Sequence, residues 1–154
     1  MTRAALVLLL ALACAPARAC DVPAGLTALR AALLDAANAH RAGAGVAPLT
    51  AEPRLDEAAQ TQACRIAGRA RLSHRGSWLA GLGRRLRRVG YPFAIAVENL
   101  ARGQSTPAEA IQGWAASPEH RANLLDPRTR EAGFGIARGA DGQLAWSMVA
   151  AARR

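Results

Sequence analysis

The sequence predicts an α+β domain built in layers, and three observations predict it. Helical patterns of apolar residues, spaced three and four apart, fill most of the first half of the chain. Two extended segments joined by a turn close the second half, which is typical of an antiparallel pair. Strands and helices do not alternate as they would in a parallel βαβ sheet. The predicted order is helix, helix, short helix, strand, helix, strand, strand.

The first helix is predicted over residues 26–42. Its inner face repeats with a helical period at Leu26, Leu29, Leu33, Ala37 and His40. The run Gly43-Ala44-Gly45 ends it. A histidine on or beside such a stripe is more often packed and hydrogen-bonded than a ligand, so we expect His40 to take no part in a functional site.

Two more helices are predicted, over residues 55–72 and 79–89. In the longer one, acidic residues occupy the first turn and arginines the last, as the helix dipole favours. Its inner face is marked by Leu55, Ala59, Gln62, Ile66 and Ala70. The shorter one ends before Pro92, because a proline disfavours the helical conformation in the residue that precedes it.

Three strands are predicted, over residues 93–101, 131–138 and 143–151. The last two are joined by a turn-rich link that suits a hairpin. The first is apolar apart from Glu98 and Asn99. A carboxylate inside an apolar strand costs stability unless it is paired or hydrated, and that cost is the reason to single out Glu98 as a candidate functional residue.

The fourth and fifth helical segments follow from capping residues. The run Thr106-Pro107-Ala108-Glu109 is a capping box with proline at the first helical position, and it opens a helix whose apolar face includes Trp114. Ser117 can cap a further helical turn, in which Glu119 meets the positive helix end. His120 is therefore expected near a helix N-terminus.

The N-terminus is predicted to be a signal peptide for export. A basic residue precedes an apolar run over residues 4–13, and Ala17-Arg18-Ala19 fits the small-x-small cleavage pattern. Cleavage near Ala19 would remove residues 1–19 and leave residues 20–154 as a single domain, secreted or periplasmic. The apolar run is shorter than the ~20 residues of a transmembrane helix. A lipoprotein attached through Cys14 is the less favoured alternative.

Two cysteines remain once the signal peptide is removed, Cys20 and Cys64. Exported proteins pass through oxidising compartments, so we expect one disulfide between the two. It would tie the new N-terminus to the middle of the second predicted helix. Two free thiols are the alternative.

The formal net charge is +9, and all 20 basic residues are arginines. The densest run is Arg84-Arg85-Leu86-Arg87-Arg88. A solvated helix face is the simpler interpretation of that run, and binding to anionic polymers of a bacterial envelope is the alternative. No nucleic-acid-binding motif accompanies the run and few aromatic residues interleave with it, so a specific nucleic-acid partner is not expected.

Two of the three histidines and Glu98 lie in short polar segments that are far apart in the sequence. Imidazole and carboxylate groups bind transition metals and transfer protons near neutral pH. If the fold brings His74, Glu98 and His120 together, they form a small polar site. If it does not, the chain shows no chemistry of its own.

An ordered set of motifs runs through residues 26–150. It comprises Asn38, Arg41, Pro48-Leu49, Ser73-His74-Arg75-Gly76-Ser77, Leu79, Arg85, Gly90-Tyr91, Glu98-Asn99-Leu100-Ala101, Gly103, Trp114, Ser117-Pro118-Glu119-His120-Arg121, Asn123-Leu124-Leu125, Gly133-Phe134-Gly135 and Trp146. In this combination the chain resembles the CAP superfamily of cysteine-rich secretory proteins, antigen 5 and plant pathogenesis-related class 1 proteins, and in particular its bacterial SCP-like extracellular branch. The resemblance implies a three-layer α-β-α sandwich with a small antiparallel sheet.

The resemblance also implies a cleft in which His74, Glu98 and His120 meet. In many relatives two histidines take a divalent metal beside two glutamates, and the position of the second glutamate here holds a glutamine. One carboxylate fewer implies weak binding of Zn²⁺ or another divalent cation, with Glu98 as a ligand or as the hydrogen-bond partner of an imidazole. Other residues expected in the cleft are Gln112, Asn99 and Glu119.

We expect a domain that binds a divalent metal, a lipid-like, peptide or glycan ligand, or both, without turnover. The alternative is a metal-assisted hydrolase acting on peptides or envelope polymers. That reaction needs a base, and none is evident once Glu98 serves as a ligand. A serine hydrolase is not favoured, because no nucleophile-elbow sequence is present. The sequence leaves open whether the protein is an enzyme.

Overall fold

The computed structural model describes residues 20–68 and 78–154, without the side chains of 78–80. These residues form α1 (Leu26–Gly43), β1 (Thr50–Ala51), α2 (Pro53–Ala67), α3 (Trp78–Arg88), β2 (Phe93–Arg102), α4 (Pro107–Ala116), α5 (Pro118–Leu124), β3 (Glu131–Arg138) and β4 (Leu144–Arg153). None of the helices in them combines the length and the hydropathy needed to span a bilayer. The predicted signal peptide, Cys14 and His74 lie outside the described residues.

The strands form a single sheet in the order β1-β3-β4-β2. The central strand, β4, pairs antiparallel with both β3 and β2, and the predicted hairpin joins β3 to β4. Glu98 lies opposite Val149 in this register, and Asn99 opposite Met148. The sequence does not predict β1, which pairs parallel with β3 over two residues, because so short a strand shows no alternation.

Helices cover both faces of the sheet. On one face α1, α4 and α5 pack against residues such as Phe134 and Trp146. On the other face α2 and α3 pack against Ala145, Val149 and Ala151 of β4. Successive side chains of a strand point to opposite faces, so neighbours in β2 belong to different layers. The expected three-layer α-β-α sandwich is confirmed.

Helix α2 lies directly on the backbone of β3. A Cβ atom on Gly133 would come within 2.1 Å of the Asp56 backbone nitrogen, and one on Gly135 within 2.3 Å of the Ala59 carbonyl carbon. The side chain of Asp56 accepts a hydrogen bond from the Phe134 N–H at 2.7 Å. Glycines are therefore required at both positions, because no side chain fits between this helix and this strand.

The predicted helix starts are confirmed where a capping side chain was recognised. The Thr106 hydroxyl accepts from the Glu109 N–H at 3.2 Å, and the Glu109 carboxylate accepts from the Ser105 N–H at 2.8 Å. Ser117 precedes α5 as expected, but its side chain makes no cap hydrogen bond. The second helix begins at Pro53 rather than at residue 55.

The N-terminal segment is tied to α2. The expected disulfide joins Cys20 to Cys64, and Asp21 forms an isolated bridge with Arg138 of β3. Cys64 lies in the last turn of α2 rather than in the middle of the helix, because the described helix ends at Ala67.

Candidate functional site

The candidate site lies where β2 meets α5. The side-chain amide of Asn99 donates to the backbone oxygen of His120 at 2.8 Å. In turn, Asn123 donates to the side-chain oxygen of Asn99 at 2.9 Å and to the backbone oxygen of Glu98 at 3.2 Å. These hydrogen bonds fasten α5 to β2, so the backbone of His120 lies one hydrogen bond away from the strand that carries Glu98. The side chain of His120 is half-buried.

Glu98 points to the opposite face of the sheet, toward α2 and α3. Its side chain has no solvent exposure, and one carboxylate oxygen, Oε1, accepts from Nη2 of Arg85 on α3. Arg85 also donates to the side-chain oxygen of Gln62 on α2, at 2.9 Å. The second oxygen, Oε2, is buried and has no hydrogen-bond partner in the described part of the chain. The carboxylate is therefore half-satisfied and retains one open acceptor.

Burial raises the pKa of Glu98 to about 7, against the opposing attraction of the Arg85 and Arg65 guanidinium groups. Removing a carboxylate from water disfavours its charged form more than one incompletely matched cation favours it. Glu98 therefore changes protonation state near neutral pH. A group of this kind can hold a proton or accept a hydrogen bond, although a solvent-borne substrate cannot reach it.

A buried arginine fixes the other end of α5. Arg41 of α1 has no solvent exposure and donates to the backbone oxygens of Leu124 at 2.9 Å and Asp126 at 3.2 Å. It also donates to the backbone oxygen of Ala47 at 2.8 Å. Leu124 ends α5, where free carbonyl groups and the helix dipole favour a cation. Arg41 thus positions the helix that carries His120.

The remaining predicted site residues do not join this cluster. Gln112 of α4 and Glu119 of α5 are exposed, and neither makes a hydrogen bond or an ion pair within the described residues. His40 is exposed, so the expectation of a packed histidine is wrong, and its neighbour Arg41 occupies the buried position instead. The structure brings the side chain of Asn99 to the backbone of His120, whereas the carboxylate of Glu98 lies on the opposite face of β2.

The partner of Glu98 is not among the predicted site residues, because the basic run is interpreted from sequence as a solvated or anion-binding helix face. Arg85 nevertheless follows Leu82 by three residues and so lies on the buried face of α3. The three-residue spacing from Leu82 therefore indicates from sequence that Arg85 is on the inner face of the helix. Nothing local marks Asn123 and Gln62, whose roles depend on which strand each helix packs against.

The described residues contain no group of three His, Cys, Asp or Glu side chains placed to hold a metal ion. One oxygen of Glu98 is bonded to Arg85, which makes direct ligation by this carboxylate a poor fit. The open Oε2 atom fits the other role considered for Glu98, accepting a hydrogen bond from an imidazole N–H. Whichever of these two roles Glu98 has, a metal ion at this site would also need His74 as a ligand.

Comparison with known proteins gives a match to one protein family. The model of the cysteine-rich secretory protein family, CAP, matches residues 34–150. Protein YkwD of Bacillus subtilis is 26% identical over 115 residues, which cover 75% of this chain and 45% of YkwD. The chain thus spans less than half of that relative.

Solved structures share the fold. An extracellular protein with an SCP domain from Bacillus anthracis aligns with a TM-score of 0.66 and 26% identity, over 83% of this chain and 41% of that protein. An outer surface protein from Borrelia burgdorferi gives 0.70 at 18% identity, over 79% and 90%. A cysteine-rich secretory protein from Staphylococcus aureus gives 0.67 at 19% identity, over 84% and 40%.

Proposed function

The chain belongs to the cysteine-rich secretory protein (CAP) family. On that premise we propose that it is an exported module with a binding site beside β2 and α5. This site would bind a divalent metal ion, a lipid-like, peptide or glycan ligand, or both. The observation that carries the proposal is the half-satisfied carboxylate of Glu98 on β2, the strand to which α5 is fastened. An open acceptor in a buried site is costly unless a ligand, a proton or an imidazole completes it.

In this proposal His74 and His120 hold the metal ion, and Glu98 orients one imidazole through Oε2. A divalent cation held by two imidazoles would supply a Lewis-acid centre for an anionic or carbonyl group of the ligand. Binding is expected to be weak, since Gln112 replaces a carboxylate and Arg85 already neutralises Glu98. The hydrogen bonds of Asn99 and Asn123 would keep His120 in place before the ion arrives.

A metal-assisted hydrolase is the second candidate, and one observation favours it. A pKa of about 7 for Glu98 is close to the optimum for a general base at neutral pH. Against it stand the complete burial of that side chain and its ion pair with Arg85. A ligand-binding module without turnover is therefore the better-supported proposal.

Export is part of the proposal. The apolar N-terminal run, the disulfide and the similarity to proteins described as extracellular or outer-surface all support it. We place the protein in the bacterial periplasm or outside the cell. Anionic envelope polymers, as a second class of partner, would bind a different surface, the basic side of α3.

Zinc titration monitored by thermal unfolding tests the proposed metal site. The unmodified protein, His74→Ala, His120→Ala and His40→Ala are compared, with His40 as a matched exposed histidine outside the site. At a hundredfold excess over its dissociation constant, zinc should stabilise the protein by about 2.7 kcal/mol, which raises the melting temperature by several degrees. The His40 variant should respond like the unmodified protein, and the other two should not respond. An identical response in all four proteins would eliminate the site.

Turnover is tested on the same proteins. Incubation with peptide libraries and cell-wall fragments should give no product above a no-protein control. Hydrolysis that is abolished both by a chelator and by Glu98→Gln would instead establish the enzyme.

A further inference from the structure

The outer side of α3 carries three arginines that have no partner in the described part of the chain. Arg84, Arg87 and Arg88 are exposed and make no hydrogen bond or ion pair within the described residues. Positions three and four apart in a helix lie about 5–6 Å from each other, so the three guanidinium groups share one face. We call Arg84, Arg87 and Arg88 the basic face of α3.

Most other arginines of the described residues are neutralised by the protein itself. Seven of them lie within 4.0 Å of a carboxylate: Arg30, Arg54, Arg85, Arg102, Arg128, Arg138 and Arg153. The buried Arg41 instead binds backbone oxygens. Arg65, Arg121, Arg130 and Arg154 also form no ion pair within the described residues, but they do not lie together on one helix face as the basic face of α3 does.

Outside the described residues the chain has no carboxylate that could neutralise this face. All 11 Asp and Glu residues of the sequence fall in the described residues. The stretch between α2 and α3, residues 69–77, contains three arginines and neither Asp nor Glu. Glu57 of α2 is the one carboxylate that lines the groove beside Arg84 and Arg88 in the described part, and it forms no ion pair with either.

The chemistry of the face suits a phosphate-bearing ligand. A guanidinium group binds phosphate through paired hydrogen bonds, and several on one face suit a chain with repeated anionic groups. Thr61 of α2 and the partly exposed Arg85 line the same groove and extend its polar surface. A single phosphate would engage one or two of these cations, whereas a polymer engages them together.

A membrane surface fits this face less well than a polymer in solution. The apolar side of α3 is already packed in the core, where Leu82 and Leu86 are at most 2% exposed. Over residues 81–88, whose side chains are described, the helix therefore has no free apolar face to insert between lipids. Among the described side chains Val22 is the only large hydrophobic one that is exposed, so this part of the surface offers no aromatic platform for nucleic-acid bases either.

We infer that the basic face of α3, with the groove between α2 and α3, binds a linear phosphate-bearing polyanion. This inference concerns a surface separate from the proposed metal site and does not depend on that site.

Binding of long-chain inorganic polyphosphate, measured across a salt series, tests the inference. The triple variant Arg84→Gln/Arg87→Gln/Arg88→Gln removes the basic face but leaves Arg85 to its partner Glu98. The matched control Arg130→Gln/Arg138→Gln/Arg154→Gln removes the same charge from exposed arginines elsewhere. Thermal unfolding of both variants confirms that each remains folded, and the single variant Arg87→Gln repeats the test with the smallest perturbation.

The expected result is a loss confined to the basic face. By counterion release, three phosphate contacts should contribute about 2 to the slope of log affinity against log salt, and Arg87→Gln alone about 0.7. The triple variant should therefore bind at least about tenfold more weakly near 50 mM salt, while the control stays within about twofold of the unmodified protein. Orthophosphate at equal phosphorus concentration should not compete.

Three results would overturn the inference. The first is equal weakening in the triple variant and the control, which would mean that net charge alone drives binding. The second is no binding of polyphosphate by the unmodified protein at low salt. The third is binding to phosphatidylglycerol vesicles that depends on the basic face when polyphosphate does not bind, which would assign the face to a membrane surface.

Discussion

Replacing Glu98 with glutamine should remove a pH dependence of stability that the buried carboxylate creates. The folded protein raises the pKa of Glu98 from 4.5 to about 7, chiefly by burial. Between those pH values the folded state keeps a proton that the unfolded chain has released. Stability therefore falls as pH rises through this window and levels off above it. Glutamine has nearly the same shape and does not titrate.

The magnitude follows from linkage. One pKa unit corresponds to about 1.4 kcal/mol, so the shift of Glu98 lowers the free energy of unfolding by about 3 kcal/mol between about pH 4.5 and about pH 7.5. Glu52, Asp126 and Glu131 have pKa values lowered mainly by hydrogen bonds to arginines, so their contributions change at more acidic pH and with the opposite sign.

Urea unfolding at several pH values measures this effect as the difference in the free energy of unfolding between Glu98→Gln and the unmodified protein. Across this pH window the titration of Glu98 lowers the free energy of unfolding of the unmodified protein, and Glu98→Gln has no such loss. The free energy of unfolding of Glu98→Gln, measured relative to the unmodified protein, should therefore rise by about 3 kcal/mol. Glu119→Gln, an exposed glutamate of α5, should show no such trend. A relative stability of Glu98→Gln that stays constant with pH would mean that Arg85 keeps Glu98 ionised throughout, and would refute the reasoning.

Two further substitutions test the packing that positions the site. Gly135→Ala should destabilise the protein by about 3 kcal/mol in chemical denaturation, because its Cβ atom would overlap the backbone of Ala59. Gly113→Ala should be neutral or slightly stabilising, because its Cβ atom would make only an ordinary contact, 3.9 Å from Gln104 Nε2. Tolerance of both would show that α2 can move away from β3. Arg41→Met should cost on the order of 3 kcal/mol by leaving buried carbonyl groups of the α5 terminus without donors, and should speed amide exchange in α5 more than in α2. Uniform acceleration of exchange in both helices would contradict that positioning role.

Local patterns were enough for the elements of the fold other than the two-residue strand β1. The capping box at Thr106 and the apolar spacing around Trp114 predicted α4 closely, because capping and periodicity act within a few residues. The same reasoning failed at His40, which shares a helical face with Leu33 and Ala37 yet is exposed. Which residue of the last turn of α1 faces inward depends on where α5 and its following loop pack, and here Arg41 meets them.

The candidate site, too, could be predicted from the sequence only in part. From the residues alone, Glu98 could be singled out, since a carboxylate in an apolar strand needs a reason. The spacing from Leu82 indicates that Arg85 lies on the buried face of α3. The pairing of Arg85 with Glu98 could not be predicted, because Arg85 precedes Glu98 by thirteen residues and meets it only when α3 packs on β2. The hydrogen bonds between Asn99, Asn123 and the backbone of His120 depend equally on the docking of α5.

The sequence by itself thus determined the order of helices and strands, the cysteine pair and the unusual carboxylate of β2, since each is encoded in short-range spacing and composition. Only the tertiary structure decided that one arginine of a basic run turns inward to Glu98 while Arg84, Arg87 and Arg88 remain without a carboxylate partner. The physical reason is that ion pairing and burial depend on distances across layers, and those distances are set by packing between elements remote in the chain.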